Sequence, residues 1–222
     1  MRKKLWLRRS VTVVVGMLVA IATAAPVNAQ AATERHGWAA VENNARHLDS
    51  VTVMHKYSND YKNTLTWNNV SSGTKTSADL RVDYRTGVFT TGKDWWYLIA
   101  VDDEGRTYIS YPHNFQWLLD KIEGAVLDWA KKVVNTYKQP KTGNYKERRK
   151  EAVKDMLAGF AVLLLNSEST AGWKQHILRS EDDRKTTTLT IRGLPGSGEQ
   201  ANALKISSPS GTSETNIRLF TR

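Results

Sequence analysis

Trp95-Trp96-Tyr97-Leu98-Ile99-Ala100-Val101 is apolar at every position, and Asp102-Asp103-Glu104-Gly105, Arg106 and Thr107-Tyr108-Ile109-Ser110-Tyr111 follow it. A short run apolar on both alternating faces reads as a strand covered on both sides, the centre of a sheet rather than its edge. The acidic residues and Gly105 supply a turn, because glycine accepts positive φ without steric penalty. Residues 95–111 are therefore read as a β-hairpin at the heart of the fold.

Upstream, the period of two continues. Val51, Val53, His55 and Tyr57 alternate with Thr52, Met54 and Lys56, and Leu80, Val82 and Tyr84 alternate with Arg81 and Asp83. Such alternation marks half-buried strands. Turn residues separate them at Ser58-Asn59-Asp60, Ser71-Ser72-Gly73 and Thr90-Thr91-Gly92. Short strands at this spacing predict a β-sandwich.

Downstream, the period changes. Phe115, Leu118, Leu119, Ile122, Val126, Trp129 and Val133 fall at three- and four-residue steps, with Asn114 placed to cap the start and Lys131 and Lys132 near the end. That is one apolar stripe on a helix, with cations where its dipole favours them. After a polar break from Lys138 to Asn144, a second helix is predicted from about Tyr145 to Leu165, charged in its first half and apolar nearly all round from Met156 onward. Two helices joined by a short polar loop form a helical hairpin. Residues 173–222 return to strand character at Ile177, Leu189, Ile191, Leu204, Ile206, Ile217 and Leu219. Too few residues remain there for a second large core. The expected architecture is α+β and mainly β: one antiparallel β-sandwich over residues 30–222, with a helical hairpin inserted at about 114–165.

Ahead of that domain, Arg2, Lys3, Lys4, Arg8 and Arg9 precede the apolar run Val11 to Ala24 and then Val27-Asn28-Ala29. A basic region, an apolar region and a small-x-small site occur here in secretory order. Residues 1–29 are read as a signal peptide cut after Ala29, and the protein as secreted or extracytoplasmic. The competing reading is a retained anchor, but the apolar run of ~14 residues is short of the ~20 that span a bilayer. The Arg8-Arg9 pair is followed by Ser10 and Thr12, which does not suit a twin-arginine signal.

The formal charge of +10 falls to +5 without the leader, where 27 basic residues face 22 acidic ones. A mildly basic exported protein is suited to an anionic surface such as lipid headgroups or acidic wall polymers, although a solvated basic surface kept for solubility is the preferred reading. No basic cluster interleaved with aromatics and glycines points to nucleic acid. There is no cysteine, hence no disulfide and no thiol nucleophile.

The usual catalytic signatures are missing. His36, His47, His55, His113 and His176 show no metal-site spacing, no Gly-x-Ser-x-Gly elbow occurs, and Gly193 to Gly198 lacks the Lys-Ser/Thr of a phosphate loop and reads as a hairpin loop. Asp102-Asp103-Glu104 is expected to be turn chemistry rather than an acid–base pair. His55 is expected to be a satisfied core histidine. The aromatics Trp95, Trp96, Tyr97, Tyr108, Tyr111 and Trp117 are expected to be core packing rather than a sugar platform. No cofactor and no metal ligand set is indicated.

Four blocks carry a family resemblance. They are residues 55–63 (His55-Lys56-Tyr57-Ser58-Asn59-Asp60-Tyr61-Lys62-Asn63), 90–96 (Thr90-Thr91-Gly92-Lys93-Asp94-Trp95-Trp96), 166–182 (Asn166 to Asp182, including Trp173-Lys174-Gln175-His176) and 208–215 (Ser208-Pro209-Ser210-Gly211-Thr212-Ser213-Glu214-Thr215). Together they resemble the "Up-regulated in Daf-two" domain family of small proteins without an established activity. The resemblance implies a β-rich domain and no particular reaction. The middle segment departs from the family, being shorter, charged at its start and Leu-rich at its end.

Three functions compete on this evidence. The leading expectation is an exported, non-catalytic interaction protein that binds an envelope or host component. Its candidate binding residues are Tyr57, Asp60, Tyr61, Lys93, Asp94, Lys174, His176 and Arg179, provided that the loops around 58–63 and 92–94 share one end of the sandwich. Turn and capping chemistry is the alternative role for the same residues. The second expectation is a membrane-active protein whose hairpin enters lipid, with Trp129, Phe160, Leu163 and Leu164 as contact residues. The third is an enzyme with a site assembled from His176, His55, Asp94 and Glu168.

Overall fold

The computed structural model describes residues 32–58, 60–87, 90, 93–112, 144–170 and 172–221. The strands β1 (Thr33–Asn43), β2 (Leu48–Lys56), β3 (Lys62–Val70), β4 (Thr74–Lys75), β5 (Leu80–Thr86), β6 (Trp95–Asp102) and β7 (Thr107–Tyr111) come before helix α1 (Tyr145–Asn166). After it come β8 (Lys174–Gln175), a 3-10 turn at Ser180–Asp182, β9 (Thr186–Ile191), β10 (Glu199–Ser208) and β11 (Gly211–Thr221). The predicted signal peptide and the first predicted helix of the hairpin, Trp129 included, lie outside the described residues. The second predicted helix is α1.

The expected sandwich is replaced by one continuous sheet. Its order is β3-β2-β6-β7-β11-β10-β9-β1, with β4 and β5 both on the far edge of β1 and β8 on β6. Apart from the two-residue pairing of β8 with β6, two ladders join the halves of the chain: β7 lies antiparallel to β11, and β1 lies parallel to β9. Because both links are ladders of one sheet, the sheet curls on itself instead of dividing into two layers. Its ends, β3 and β5, meet through side chains: Asn63 Nδ2 donates to the Arg81 carbonyl at 3.0 Å and to Asp83 Oδ2 at 3.4 Å. The result is a nearly closed barrel. Register shifts between Leu48 and Ser50, Gln200 and Leu204, and Leu219 and Thr221 supply local bends of the kind that curvature requires.

Side chains from β1, β2, β3, β5, β6, β7, β9, β10 and β11 meet in one buried cluster, including Val53, Trp96, Leu98, Tyr108, Leu189 and Ile206, which is the barrel interior. A second cluster lies on the outer face of the β2-β6-β7 region, where Met54, Tyr97, Ile99 and Ile109 pack under Phe160, Ala161 and Leu164 of α1 and against Trp173. Burying each such aliphatic side chain contributes about 1.5–3 kcal/mol. Strand β6 serves both clusters and is paired on both sides by β2 and β7, as its unbroken apolar run requires. The β6–β7 hairpin forms as read from sequence. Asp102 is wholly buried at its turn and accepts from Glu104 N at 3.1 Å, Arg106 Nε at 2.7 Å and Tyr108 Oη at 3.0 Å. Burial and Asp102 together push the Tyr108 hydroxyl up to about 12.

Strand β2 corrects the half-buried reading. Thr52, Met54 and Lys56 are all buried; on the face that alternation assigned to solvent, α1 covers Met54 and Lys56 reaches the end of that helix. The last turn of α1 carries no basic residue of its own, and the sheet supplies the cations. Lys56 Nζ donates to the Ser167 carbonyl, and Lys62 Nζ donates to Asn166 Oδ1 at 2.8 Å. Burial, and secondarily the charge of Lys62, hold the Lys56 amine below the usual lysine range. No helix among the described residues is long and apolar enough to cross a membrane.

Candidate functional site

At one end of the barrel β2 stops, β3 and β6 begin, the β10–β11 turn reverses, and the segment from His176 to Lys185 runs towards β9. Asp94 joins these elements. Its Oδ1 lies 3.0 Å from His55 Nε2, and neither side chain is exposed. Its Oδ2 accepts the Leu178 backbone N–H at 2.9 Å, and its carbonyl accepts that of His176 at 3.0 Å. One carboxylate residue thus fastens β2, the start of β6 and the 176–178 segment together. The His55 ring lies against Trp96, with centroids 4.6 Å apart, and its Nδ1 is buried without a hydrogen-bond partner. Trp96 Nε1 donates to the His176 carbonyl at 3.1 Å.

His176 carries the second part of the network. Its Nε2 is 3.0 Å from Ser208 Oγ and its Nδ1 is 3.1 Å from Ser213 Oγ. Ser208 Oγ lies 3.2 Å from Ser210 Oγ, which donates to Asp182 Oδ2 at 2.5 Å. Asp182 is buried in the 3-10 turn and also accepts backbone N–H groups, from Arg179 at 2.7 Å and from Ser210 at 2.9 Å. Burial holds the His176 imidazole below the usual histidine range; the charges of Asp182 and Asp94 act in the opposite direction and that of Lys174 in the same one.

Around these buried residues stand the solvent-facing ones. Asp60, Lys93 and Arg179 are exposed, and Tyr57, Tyr61 and Lys174 are half-buried. Tyr61 Oη donates to Glu34 Oε1 at 2.6 Å and accepts from Arg85 Nη2 at 2.7 Å, while the Arg85 guanidinium lies 4.9 Å from the Tyr61 ring centre. Tyr57 meets the same ring edge-on at 6.2 Å. The hydrogen bonds from Tyr61 and then Arg85 hold the Glu34 carboxyl below its ordinary range. Tyr84 reaches from β5 to donate to the Arg179 carbonyl at 2.9 Å.

The eight candidate binding residues thus divide by role. Asp94 and His176 are internal struts; Tyr57, Asp60, Tyr61, Lys93, Lys174 and Arg179 retain solvent-accessible surface. Of the four residues proposed for an assembled catalytic site, His55, Asp94 and His176 fall in one network. Glu168 is exposed, and its charge bears on Lys56 instead. His55 and Asp94 are shielded from any dissolved substrate. The aromatic residues Trp96, Tyr97 and Tyr108 are wholly buried, as core packing requires. Phe160 and Leu164 face the sheet, while Leu163 is 38% and Val162 57% exposed. No group of three or more histidine or acidic side chains suited to a metal ion occurs among the described residues. Sequence reading did not single out Ser208, Ser210 or Ser213; the signal available for them was their position in the 208–215 block.

All four blocks therefore converge on this one end of the barrel. The family model described as Up-Regulated in long-lived daf-2 matches residues 33–217. The chain belongs to that family. The Up-Regulated in long-lived daf-2 match covers the barrel strands from β1 into β11, including every residue of the buried network. No curated protein matches the chain.

Proposed function

We propose that the protein acts outside the cytoplasm as a recognition module, binding an envelope or host component through this end of the barrel. The observation that carries the reading is the buried Asp94 junction, which fixes the approach to β6 and the 176–178 segment against β2. Loops held by buried hydrogen bonds present side chains with little ordering to be lost on binding. The rim offers aromatic surface at Tyr57 and Tyr61, guanidinium groups at Arg85 and Arg179, and the Lys93 amine. This combination suits a polar ligand that is anionic or rich in hydroxyl groups. Export rests on the basic, apolar and small-residue order of residues 1–29.

Residues 31–222 form one compact unit, and this unit is the material for the test. Its binding to phosphatidylglycerol vesicles, phosphatidylcholine vesicles and a glycan array is compared with that of a Tyr61→Ala/Lys93→Ala/Arg179→Ala variant. The expected result is binding to one probe class that the triple variant loses while its urea midpoint stays the same. Binding unchanged in the triple variant, or absent on every probe, overturns the reading.

A second reading is favoured by α1. Val162 and Leu163 are exposed beside the buried Phe160, Ala161 and Leu164, so the helix carries apolar side chains on more than the face it packs. We infer a membrane-active alternative in which this helix leaves the sheet and enters the interface. Vesicle binding that survives high salt and is lost in Val162→Ser/Leu163→Ser supports it; binding abolished by salt rejects it.

A further inference from the structure

We propose that Ser213 is a base-assisted nucleophile, with the His176 imidazole as its proton acceptor and Ser208, Ser210 and Asp182 as positioning residues behind that base. The inference goes beyond recognition at the barrel end and does not depend on it.

The direction of every hydrogen bond in the network follows from Asp182. As a carboxylate that already receives two backbone N–H groups, Asp182 only accepts, so Ser210 must donate its hydroxyl proton to Oδ2, 2.5 Å away. The competing acceptor for that proton, the Ile177 carbonyl, is 3.5 Å away and loses on distance. With its proton spent, Ser210 Oγ can only accept along the 3.2 Å contact from Ser208. Ser208 has then spent its own proton, so at 3.0 Å it must accept from His176 Nε2. The neutral imidazole is therefore fixed as the Nε2–H tautomer. Its Nδ1 lone pair faces Ser213 Oγ at 3.1 Å and can only accept from it. A serine hydroxyl thus donates to a histidine whose opposite nitrogen is tied, through two serines, to a carboxylate. That is the logic of an activated hydroxyl, in which a base takes the proton and a third group fixes the tautomer.

Exposure fits the assignment. The imidazole is 5% exposed, which favours its neutral, proton-accepting form, whereas Ser213 at the start of β11 is only half-buried and can meet a reagent. In the reaction, Ser213 Oγ forms a bond to an acyl carbon or a phosphorus, the bond from that atom to its leaving group breaks, and the hydroxyl proton passes to His176 Nδ1. The imidazolium then delivers the proton to the departing group or to solvent. The product is a neutral histidine and an esterified serine, with no oxidant or metal required.

The test uses a fluorophosphonate probe, in which the P–O bond forms as the P–F bond breaks and fluoride leaves. Peptide sequencing is expected to place one phosphonyl group on Ser213, at a rate reduced about 100-fold or more in His176→Ala. Ser210→Ala frees Ser208 to donate to His176 and lets the other tautomer form; it is expected to slow labelling about tenfold or more. The wild-type rate is expected to fall with decreasing pH through a single ionisation below 6.5, the ordinary histidine value, with Asp182, Asp94 and Lys174 as the charges that set its position. Thermal unfolding of each variant checks its fold, and if His176→Ala does not fold, Ser210→Ala and the pH profile decide. Absence of labelling in the folded wild type, labelling elsewhere, or a rate indifferent to pH and to Ser210→Ala overturns the proposal.

Discussion

His55 Nε2 and Asp94 Oδ1 lie 3.0 Å apart with both side chains wholly buried, and the other oxygen of Asp94 holds the backbone of Leu178. A buried pair of this kind is weak evidence for net stability, yet losing one member leaves the other without its partner. Asp94→Ala is therefore expected to destabilise the fold by about 3 kcal/mol. It should also free the Leu178 amide, which the carboxylate holds, for exchange. Urea titration and hydrogen exchange check both effects; a protected Leu178 amide in the folded variant would show that the 176–178 segment is held by other contacts.

Strand β1 meets the 182–185 segment at closest range at Gly37. A Cβ placed there would stand 2.8 Å from the Lys185 carbonyl oxygen and 3.3 Å from that of Asp182. Both neighbours are backbone, and they are fixed by Trp38 N donating to Lys185 O at 2.9 Å and Arg184 N to His36 O at 2.7 Å. Gly37→Ala is expected to lower stability by about 1–3 kcal/mol, the range for overpacking a site that cannot yield. A shifted urea midpoint at unchanged slope is the sign to look for.

The helix offers a paired comparison. Phe160 is buried between Tyr97, at 6.1 Å, and Phe220, at 6.2 Å, whereas Val162 is 57% exposed. Phe160→Ala should cost about 3–5 kcal/mol and Val162→Ala less than about 0.5 kcal/mol. Equal effects would mean that α1 is not seated as described.

His176 ties stability to acidity. Its folded ionisation lies below the unfolded value of 6.5, so between those two points the unfolded chain binds more protons. The resulting stability is fully present above 6.5 and is lost as the pH falls towards the folded value. Urea midpoints of the wild type and His176→Asn should accordingly converge on acidification from about pH 7.5 to 5, if other groups titrate alike in both proteins. Curves that stay parallel over that range would refute the assignment.

Much of this fold is legible in the sequence where one element decides its own environment. The run Trp95 to Val101 announces a strand covered on both faces, and the Asp102–Gly105 turn follows from residue chemistry. Barrel closure is not legible, because period-two alternation looks the same whether strands divide into two layers or close into one sheet. The burial of Met54 and Lys56 is hidden for a related reason: the helix that covers Met54, and whose end Lys56 reaches, lies about a hundred residues away in the chain, beyond the reach of any local pattern. At the candidate site, the four quoted blocks mark which segments matter. They do not separate the struts Asp94 and His176 from the rim residues Tyr61 and Arg179, since burial of a polar side chain depends on partners from other blocks. The serines at 208, 210 and 213 read as turn residues until His176 is placed among them.

The parallel ladder between β1 and β9 has a temporal consequence. Thr190 Oγ1 donates to Glu42 Oε2 at 2.9 Å across 148 residues of chain. A polypeptide made from its N-terminus must therefore hold its first strand without that lateral neighbour until most of the remaining chain exists. Contacts of such long range make assembly slow and late. Under the proposed export, that delay is an asset, since a barrel that cannot close early stays narrow enough to pass a translocation pore.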